Sequence, residues 1–235
     1  MPHKYCIVIP NRYPEFAYRL LSSIKQHHKQ TPQIFVVCDR HKTQFPDAMS
    51  AYVPGPFIFA RNCNLGIKMF SECDIVLCND DMECTEDDFF DKLAEEAYRY
   101  KKCGLLSPLI DGGVGNELQQ YPPVRVWEQI KRPQIALGDR TICFPCVYLR
   151  REMIDAVGLL DESFTGYGFD DDDYCYRVRN ANWQTNITRV LSIKHGSGGA
   201  KLDRGKNWSC SFAGEEKLPS NMEIFLAKYP QFRSK

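Results

Sequence analysis

Asp74-Ile75-Val76-Leu77-Cys78-Asn79-Asp80-Asp81 is the stretch on which the fold turns. Ile75 to Cys78 is short, apolar, rich in β-branched residues and bounded by acids, so it reads as a buried strand. Acids that follow such a strand lie at its carboxyl end, where open α/β sheets bind ligands. Adjacent carboxylates repel one another in a dry cleft unless a cation sits between them. Their hard oxygens suit Mg2+ or Mn2+, and those ions usually arrive with a phosphate. The competing reading is a polar turn that caps the next helix, since helix starts favour acids.

Upstream, Tyr5-Cys6-Ile7-Val8-Ile9 reads as a first strand stopped by Pro10. Phe16, Leu20, Leu21 and Ile24 then recur at helical spacing, with Pro14 near the helix start. Residues 33–38 form a second strand, 45–56 a Pro-rich irregular stretch, and Phe57-Ile58-Phe59 a short third strand. Residues 61–70 read as a helix. Downstream, Thr85 opens a helix with acids in its first turn, and Phe89, Phe90, Leu93, Ala94 and Ala97 face inward. Residues 105–110 are another strand. Strands alternating with helices imply parallel βαβ units.

After Asp111 the character changes. Gly112, Gly113 and Gly115 make a loop, and 124–130 and 134–137 read as meander strands. Residues 151–157 and 170–182 are helical, 185–194 β-like, 196–206 glycine-rich, basic and mobile, and 221–228 a closing helix. The 235 residues fit one large α/β domain.

Lysines and arginines number 30 and acids 30, so nothing global draws the chain to nucleic acid or anionic membrane. The eleven cysteines are odd in number and scattered. Cys143-Phe144-Pro145-Cys146 has no second pair at zinc spacing. Buried reduced thiols in a reducing compartment fit this usage. No apolar run reaches membrane-spanning length and the N-terminus has no signal-peptide pattern, so the expected location is cytoplasmic.

A second acidic cluster is Gly168-Phe169-Asp170-Asp171-Asp172-Asp173. The positive end of a helix accounts for one or two of these acids, but four so close must raise at least one pKa. Arg177 stands four residues beyond Asp173 and pairs with it on one face. That division makes Asp173 structural and leaves Asp171 for chemistry, where a positioned carboxylate is a general base. A third signal is His195, at a strand end before a glycine-rich segment carrying Lys201, Arg204 and Lys206. That segment either folds over a polyphosphate or is a solvated linker.

In order and spacing these residues resemble the family 2 glycosyltransferases of GT-A fold, over residues 4–200. Cys6-Ile7-Val8-Ile9-Pro10-Asn11 is similar to that family's first strand, and Val36-Val37-Cys38-Asp39 to its second, whose acid meets the base or ribose. Ala60-Arg61-Asn62-Cys63-Asn64-Leu65-Gly66 resembles the "arN-x-G" segment near the nucleotide. Leu77-Cys78-Asn79-Asp80-Asp81 sits where the family carries its Asp-x-Asp metal motif. Gly158-Leu159-Leu160-Asp161-Glu162-Ser163-Phe164 resembles an acceptor-side loop, and Gly168 to Arg177 the base motif "G-x-E-D-x-D-L-x-x-R". Two departures stand out: Asn79 replaces the first acid of the metal motif, and Asp170 replaces a Glu in the base motif.

The resemblance implies a single GT-A-type, Rossmann-like α/β domain with a mixed, mainly parallel central sheet and a small C-terminal acceptor-side region. Residues 1–110 would be the nucleotide-binding half, 111–210 the acceptor-binding and catalytic half, and 211–235 a helical tail. It implies a glycosyltransferase that takes a sugar from a UDP-, GDP- or dTDP-sugar with Mn2+ or Mg2+. Asp81 and His195 would hold the metal. Pro10, Asn11, Arg12, Asp39, Arg61, Asn79, Asp80, Lys201 and Arg204 would contact the nucleotide. Asp171, with Asp170 as its rival, would be the base of an inverting displacement onto a hydroxyl. The acceptor stays open between a glycan, a lipid-linked sugar and a modified nucleic-acid base. Trp127, Trp183, Tyr121, Tyr167 and Trp208 are rings that stack on a sugar or base, or else pack. Arg125, Lys131, Arg132, Arg150 and Arg151 are cations of the acceptor half. The alternative class is a non-catalytic nucleotide-sugar or glycan-binding module, which Asn79 leaves open. A nucleotidyltransferase is disfavoured because Asn11-Arg12-Tyr13-Pro14 has no glycine.

Overall fold

The computed structural model describes residues 4–39, 42–114, 116–123, 141–166, 168–196 and 220–233, and the backbone of 134–136. The first half builds β1 (Tyr5–Asn11), α1 (Pro14–His27), β2 (Gln33–Cys38), β3 (Met49–Tyr52), α2 (Phe59–Met69) and β4 (Asp74–Cys78). Then come β5 (Met82–Glu83), α3 (Phe89–Tyr98), β6 (Cys103–Asp111), β7 (Gln134–Ala136) and β8 (Cys146–Leu149). The chain continues through α4 (Arg151–Val157), α5 (Asp170–Asn180), β9 (Gln184–His195) and α6 (Asn221–Lys228).

One sheet runs β3-β2-β1-β4-β8-β6-β9-β5, with β7 also on β9. β3, β2, β1 and β4 pair in parallel. β8 runs antiparallel between β4 and β6, and β6 pairs in parallel with β9. Thus β1, β2, β3, β4, β6 and β9 point one way, and β5, β7 and β8 point back. The sheet is mixed and mainly parallel, as expected.

Both faces are covered, which is why β1 and β4 are apolar between Tyr5 and Pro10 and between Ile75 and Cys78, with a polar residue at one end of each. Ile7, Ile9, Val36 and Val76 face Leu20 and Ile24 of α1 and Phe89, Phe90 and Leu93 of α3. The alternate residues Cys6, Val8, Phe35, Ile75 and Leu77 face Ala60, Cys63 and Ile67 of α2, with Tyr174 and Val178 of α5. This period-two division is what a strand buried on both sides must show. Gly66 lets α2 lie directly on β1: a Cβ there would come 2.5 Å from Val8 Cγ1.

Several local expectations are corrected. Pro10 does not stop β1, which continues to Asn11. The ladder from β1 to β4 ends at Val8, so the missing N–H of Pro10 leaves no rung empty on that side. The Pro-rich stretch 45–56 contains the edge strand β3, held by parallel pairing to β2. Phe57-Ile58-Phe59 is not a strand: Ile58 caps α2 and Phe59 begins it. The α3 helix starts at Phe89, not Thr85, after Asp88 in the left-handed region. Glu86 is drawn away to β9, where its carboxylate accepts from the Ser192 amide at 2.8 Å and hydroxyl at 3.0 Å. β8 went unread, although it fills the middle of the sheet. The expected strand 124–130 lies outside the described residues. No helix among the described residues is long and apolar enough to cross a membrane.

Candidate active site

Because β1, β2, β4, β6 and β9 run the same way, Asn11, Asp39, Asn79, Asp111 and His195 all end or follow strands at one edge of the sheet. That edge is the ligand crevice of open α/β sheets. Asp80 ties it together. Its Oδ2 accepts from Asn11 Nδ2 at 2.8 Å and from the Arg12 and Tyr13 amides at 3.0 and 3.4 Å. Burial, then the neighbouring Asp81 charge, push its pKa up to about 7 against the pull of these donors. Cys38 Sγ donates to Asn11 Oδ1 at 3.5 Å, which brings the buried Asp39 to the same corner. Asn79 is fastened by its amide to the Pro145 carbonyl at 2.8 Å. Arg61 donates from Nη2 to the Pro56 carbonyl at 2.7 Å and from Nε to Asn62 Oδ1 at 3.5 Å.

Asp81 meets His195 because β5 turns the chain back against the end of β9, pairing Met82 with His195. The Gly196 amide donates to the Asp81 carbonyl at 2.9 Å. His195 Nε2 stands 3.4 Å from Asp81 Oδ1. The other ring nitrogen, Nδ1, bonds the Gly113 carbonyl, which only accepts, so Nδ1 carries the proton. In the neutral ring the Nε2 lone pair then points toward Asp81. A backbone carbonyl that fixes the tautomer of a histidine beside a carboxylate is how ligating histidines are commonly held. Gly112 makes this contact feasible, since its φ is +142° and a Cβ would lie 2.4 Å from the His195 carbonyl oxygen. A donor set of one carboxylate oxygen and one imidazole nitrogen fits a divalent metal ion.

The aspartate run opens α5 after two left-handed residues, Gly168 at φ 78° and Phe169 at 65°. Its members divide. Asp173 is fully buried. It accepts from Arg177 Nε at 2.9 Å and Tyr229 OH at 2.8 Å, and pairs with Lys228 Nζ at 2.6 Å. Asp172 accepts from Thr141 Oγ1. Asp170 and Asp171 are half-buried. Burial raises Asp170 to about 6. Burial, then the charges of Asp170 and Asp172, raise Asp171 well above the usual carboxylate range. Asp170 faces α2, where its charge adds to the burial that raises the Cys63 thiol.

Other residues of interest fall elsewhere. Trp183 sits at the opposite edge, just before β9, with Lys102 and Arg150 over its ring. Arg150 stacks on Tyr98. The Arg151 amide donates to Asp74 Oδ1 at 2.6 Å, and its guanidinium donates to the Cys73 and Phe70 carbonyls at 2.8 Å each. These two cations therefore build the fold rather than an acceptor surface. Tyr121 is exposed. Lys201, Arg204, Lys206, Trp127, Tyr167, Trp208, Arg125, Lys131 and Arg132 lie outside the described residues.

The reading from sequence missed three supports of the crevice. Asn64 clamps the 158–164 loop, donating to the Leu160 carbonyl and Glu162 at 2.9 Å each and accepting from the Leu160 amide at 3.0 Å. Gly113 holds His195, and α6 holds Asp173. Only long-range contacts reveal these roles.

A further cluster joins α1 to α3: His28, Asp88 and Asp91 offer ligand atoms within 4.8 Å of one another. His28 Nε2 accepts from the Phe90 amide at 3.4 Å. The neutral ring therefore carries its proton on Nδ1, the nitrogen 3.9 Å from Asp91. A metal on Nδ1 would require the opposite tautomer. The arrangement is a helix cap supplied from another helix, satisfying one of the first free amides of α3.

No family model matches the chain, and no curated protein matches it in sequence. Its fold is similar to a solved structure of GalNAc-T7 with UDP, GalNAc and Mn2+, with a TM-score of 0.58 and 12% identity. The match covers 82% of this chain but 44% of that one, so the chain spans less than half the length of its neighbour. At that identity the likeness is one of fold: an α/β domain of the GT-A, Rossmann-like type.

Proposed function

We propose that this protein is a metal-dependent glycosyltransferase that moves a sugar from a nucleotide sugar to a hydroxyl acceptor with inversion. The observation that carries the reading is the Asp81–His195 pair, held in a ligating tautomer at the edge that also bears Asp80 and Asn11. In this reading residues 1–110 bind the nucleotide, 111–210 serve the acceptor and catalysis, and 211–235 are a helical tail. Asp81 and His195 hold Mn2+ or Mg2+, which when bound neutralises charge on the departing diphosphate. Pro10, Asn11, Arg12, Asp39, Arg61, Asn79 and Asp80 line the nucleoside end, and Lys201 and Arg204 add cations. Asp171, with Asp170 as rival, takes the acceptor proton as the acceptor oxygen bonds to the anomeric carbon. The bond from that carbon to the diphosphate breaks on the opposite face, and one displacement inverts it. Carboxylates raised toward neutrality by burial suit this work. The fold's likeness to a UDP- and Mn2+-bearing protein favours trying UDP-sugars first.

Asn79, where an acid would add a second carboxylate to the metal site, supports one other reading: a module that binds nucleotide sugars without turning them over. Thermal shift with UDP-, GDP- and dTDP-sugars, followed by donor hydrolysis with Mn2+ or with EDTA, separates them. Turnover in Mn2+ that EDTA abolishes is expected. Stabilisation by a donor without turnover on any hydroxyl acceptor offered would favour the binding module, and neither would overturn both readings.

A further inference from the structure

We infer that Asn221, at the start of α6, is a positioning residue that aims the Asp170–Asp171 pair; this deepens the proposed function and rests on it. The backbone leading into that pair is strained. Gly168 and Phe169 both have positive φ, at 78° and 65°, and for a residue as large as Phe169 that conformation costs energy unless the surroundings enforce it.

Asn221 supplies the enforcement. It is 3% exposed, and its one side chain spans the turn. Oδ1 accepts from the Gly166 amide at 2.9 Å, and Nδ2 donates to the Gly168 carbonyl at 2.6 Å. The partners leave no choice of amide orientation, since an N–H must donate and a C=O must accept. Gly166 is also matched to it: a Cβ there would come 3.2 Å from Asn221 Oδ1. Phe225, one turn along α6, packs on the Phe169 ring with centroids 5.4 Å apart. Lys228 and Tyr229 then fix Asp173, the fourth residue of the run. One face of α6 thus grips the residue before the turn, the turn itself and the helix after it. Of the three aspartates between these holds, Asp172 bonds Thr141, and Asp170 and Asp171 take their direction from both sides.

The helix has its own lock, which makes the role separable. Ser220 and Glu223 form a capping box that touches neither Gly166 nor Gly168. Ser220→Ala therefore loosens α6 and leaves the Asn221 bonds in place. Small displacements of reacting groups are costly, with about 1 Å worth on the order of 100-fold in rate.

The test measures kcat and donor KM in Mn2+ for wild type, Asn221→Ala, Asn221→Asp, Ser220→Ala, Asp170→Asn and Asp171→Asn. The donor is UDP-GalNAc, or whichever of the UDP-, GDP- and dTDP-sugars the wild type turns over. Asn221→Ala is expected to lower kcat by about 10- to 100-fold with donor KM unchanged, while Ser220→Ala keeps the wild-type kcat. Asn221→Asp retains the Gly166 bond but sets a carboxylate against the Gly168 carbonyl, so it should fall with Asn221→Ala, and it carries the test if the alanine variant does not fold. A wild-type kcat in both Asn221 variants, or an equal fall in Ser220→Ala, overturns the positioning role alone. Full activity in both Asp170→Asn and Asp171→Asn, or no turnover of any donor by the wild type, overturns the base assignment and this inference together.

Discussion

Each acid in the two clusters is distinguished by what it touches. Asp80 is held through one oxygen by Asn11, Arg12 and Tyr13, whereas Asp81 faces the Nε2 of His195, whose Nδ1 is turned to the Gly113 carbonyl. Asp81→Ala is therefore expected to remove the Mn2+-dependent part of UDP affinity and leave the fold intact. Calorimetric titration with and without Mn2+ reads this directly, and an undiminished metal effect would take Asp81 out of the site. In the second cluster, Asp171→Asn should keep donor binding and lose transfer by about 10²- to 10⁴-fold. Asp170→Asn should do less; if it does more, the base is Asp170. Since the base works deprotonated and burial holds Asp171 well above the usual carboxylate range, a pH profile should show kcat falling on the acid side at a pH well above that of an ordinary carboxylate. Asp173→Asn belongs to another class. From sequence its link to Arg177 looks like an exposed pair worth about 0.3–0.5 kcal/mol. The structure buries Asp173 completely and adds Lys228 and Tyr229. Breaking such a pair costs about 3–5 kcal/mol, seen in denaturant midpoint rather than in KM. The acids themselves were legible because four aspartates in a row have few other uses. Their division was not, because Lys228 and Tyr229 arrive from far along the chain.

At the scale of elements, legibility followed how much of an element's stability is local. β1, β2 and β4 are continuous apolar runs between breakers, and α1 and α3 carry apolar residues at helical spacing, so pattern alone finds them. Cys146-Val147-Tyr148-Leu149 is as apolar, but four residues show no period, and β8 exists because β4 and β6 flank it. β5 is two residues long and owes its form to β9. The α1–α3 junction is equally non-local. His28 caps α3 through Phe90, and the Asp88 amide donates to the His27 carbonyl at 2.7 Å. Burial lowers the His28 pKa, opposed by the charges of Asp91 and Asp88. The unfolded chain takes up a proton near pH 6.5, the folded one only at lower pH. The stabilisation is thus present above about pH 6.5 and is lost as pH falls through the folded value. His28→Gln, which keeps an acceptor but does not titrate, should flatten that part of the stability–pH curve. Urea midpoints between pH 7.5 and 5 compare the two, and parallel curves would assign the acid sensitivity to other groups.

Across the whole molecule the sheet has two edges with different tasks. The carboxyl edge gathers Asn11, Asp39, Asp80, Asp81 and His195, the groups to which the proposed function assigns the nucleotide and the metal. The opposite edge is balanced internally, around Asp74. That carboxylate is 4% exposed and accepts from Tyr98 OH at 2.7 Å, Tyr148 OH at 2.6 Å and the Arg151 amide at 2.6 Å. It joins β4 to α3, β8 and the start of α4 in one step. Asp74→Ala would strand one buried hydroxyl, one half-buried hydroxyl and a helix-start amide, each costing about 1–3 kcal/mol, and should lower unfolding free energy by about 3 kcal/mol or more. Asp74 lies at the far end of β4 from Asp81, so the surviving folded fraction should bind UDP and Mn2+ with an affinity within about twofold of wild type, since sites this far apart rarely couple strongly. Denaturant unfolding and titration on the same preparation test both halves of the statement. A loss of affinity matching the loss of stability would mean that the two edges move as one, and that the crevice draws its geometry from the whole strand rather than from the loops at its end.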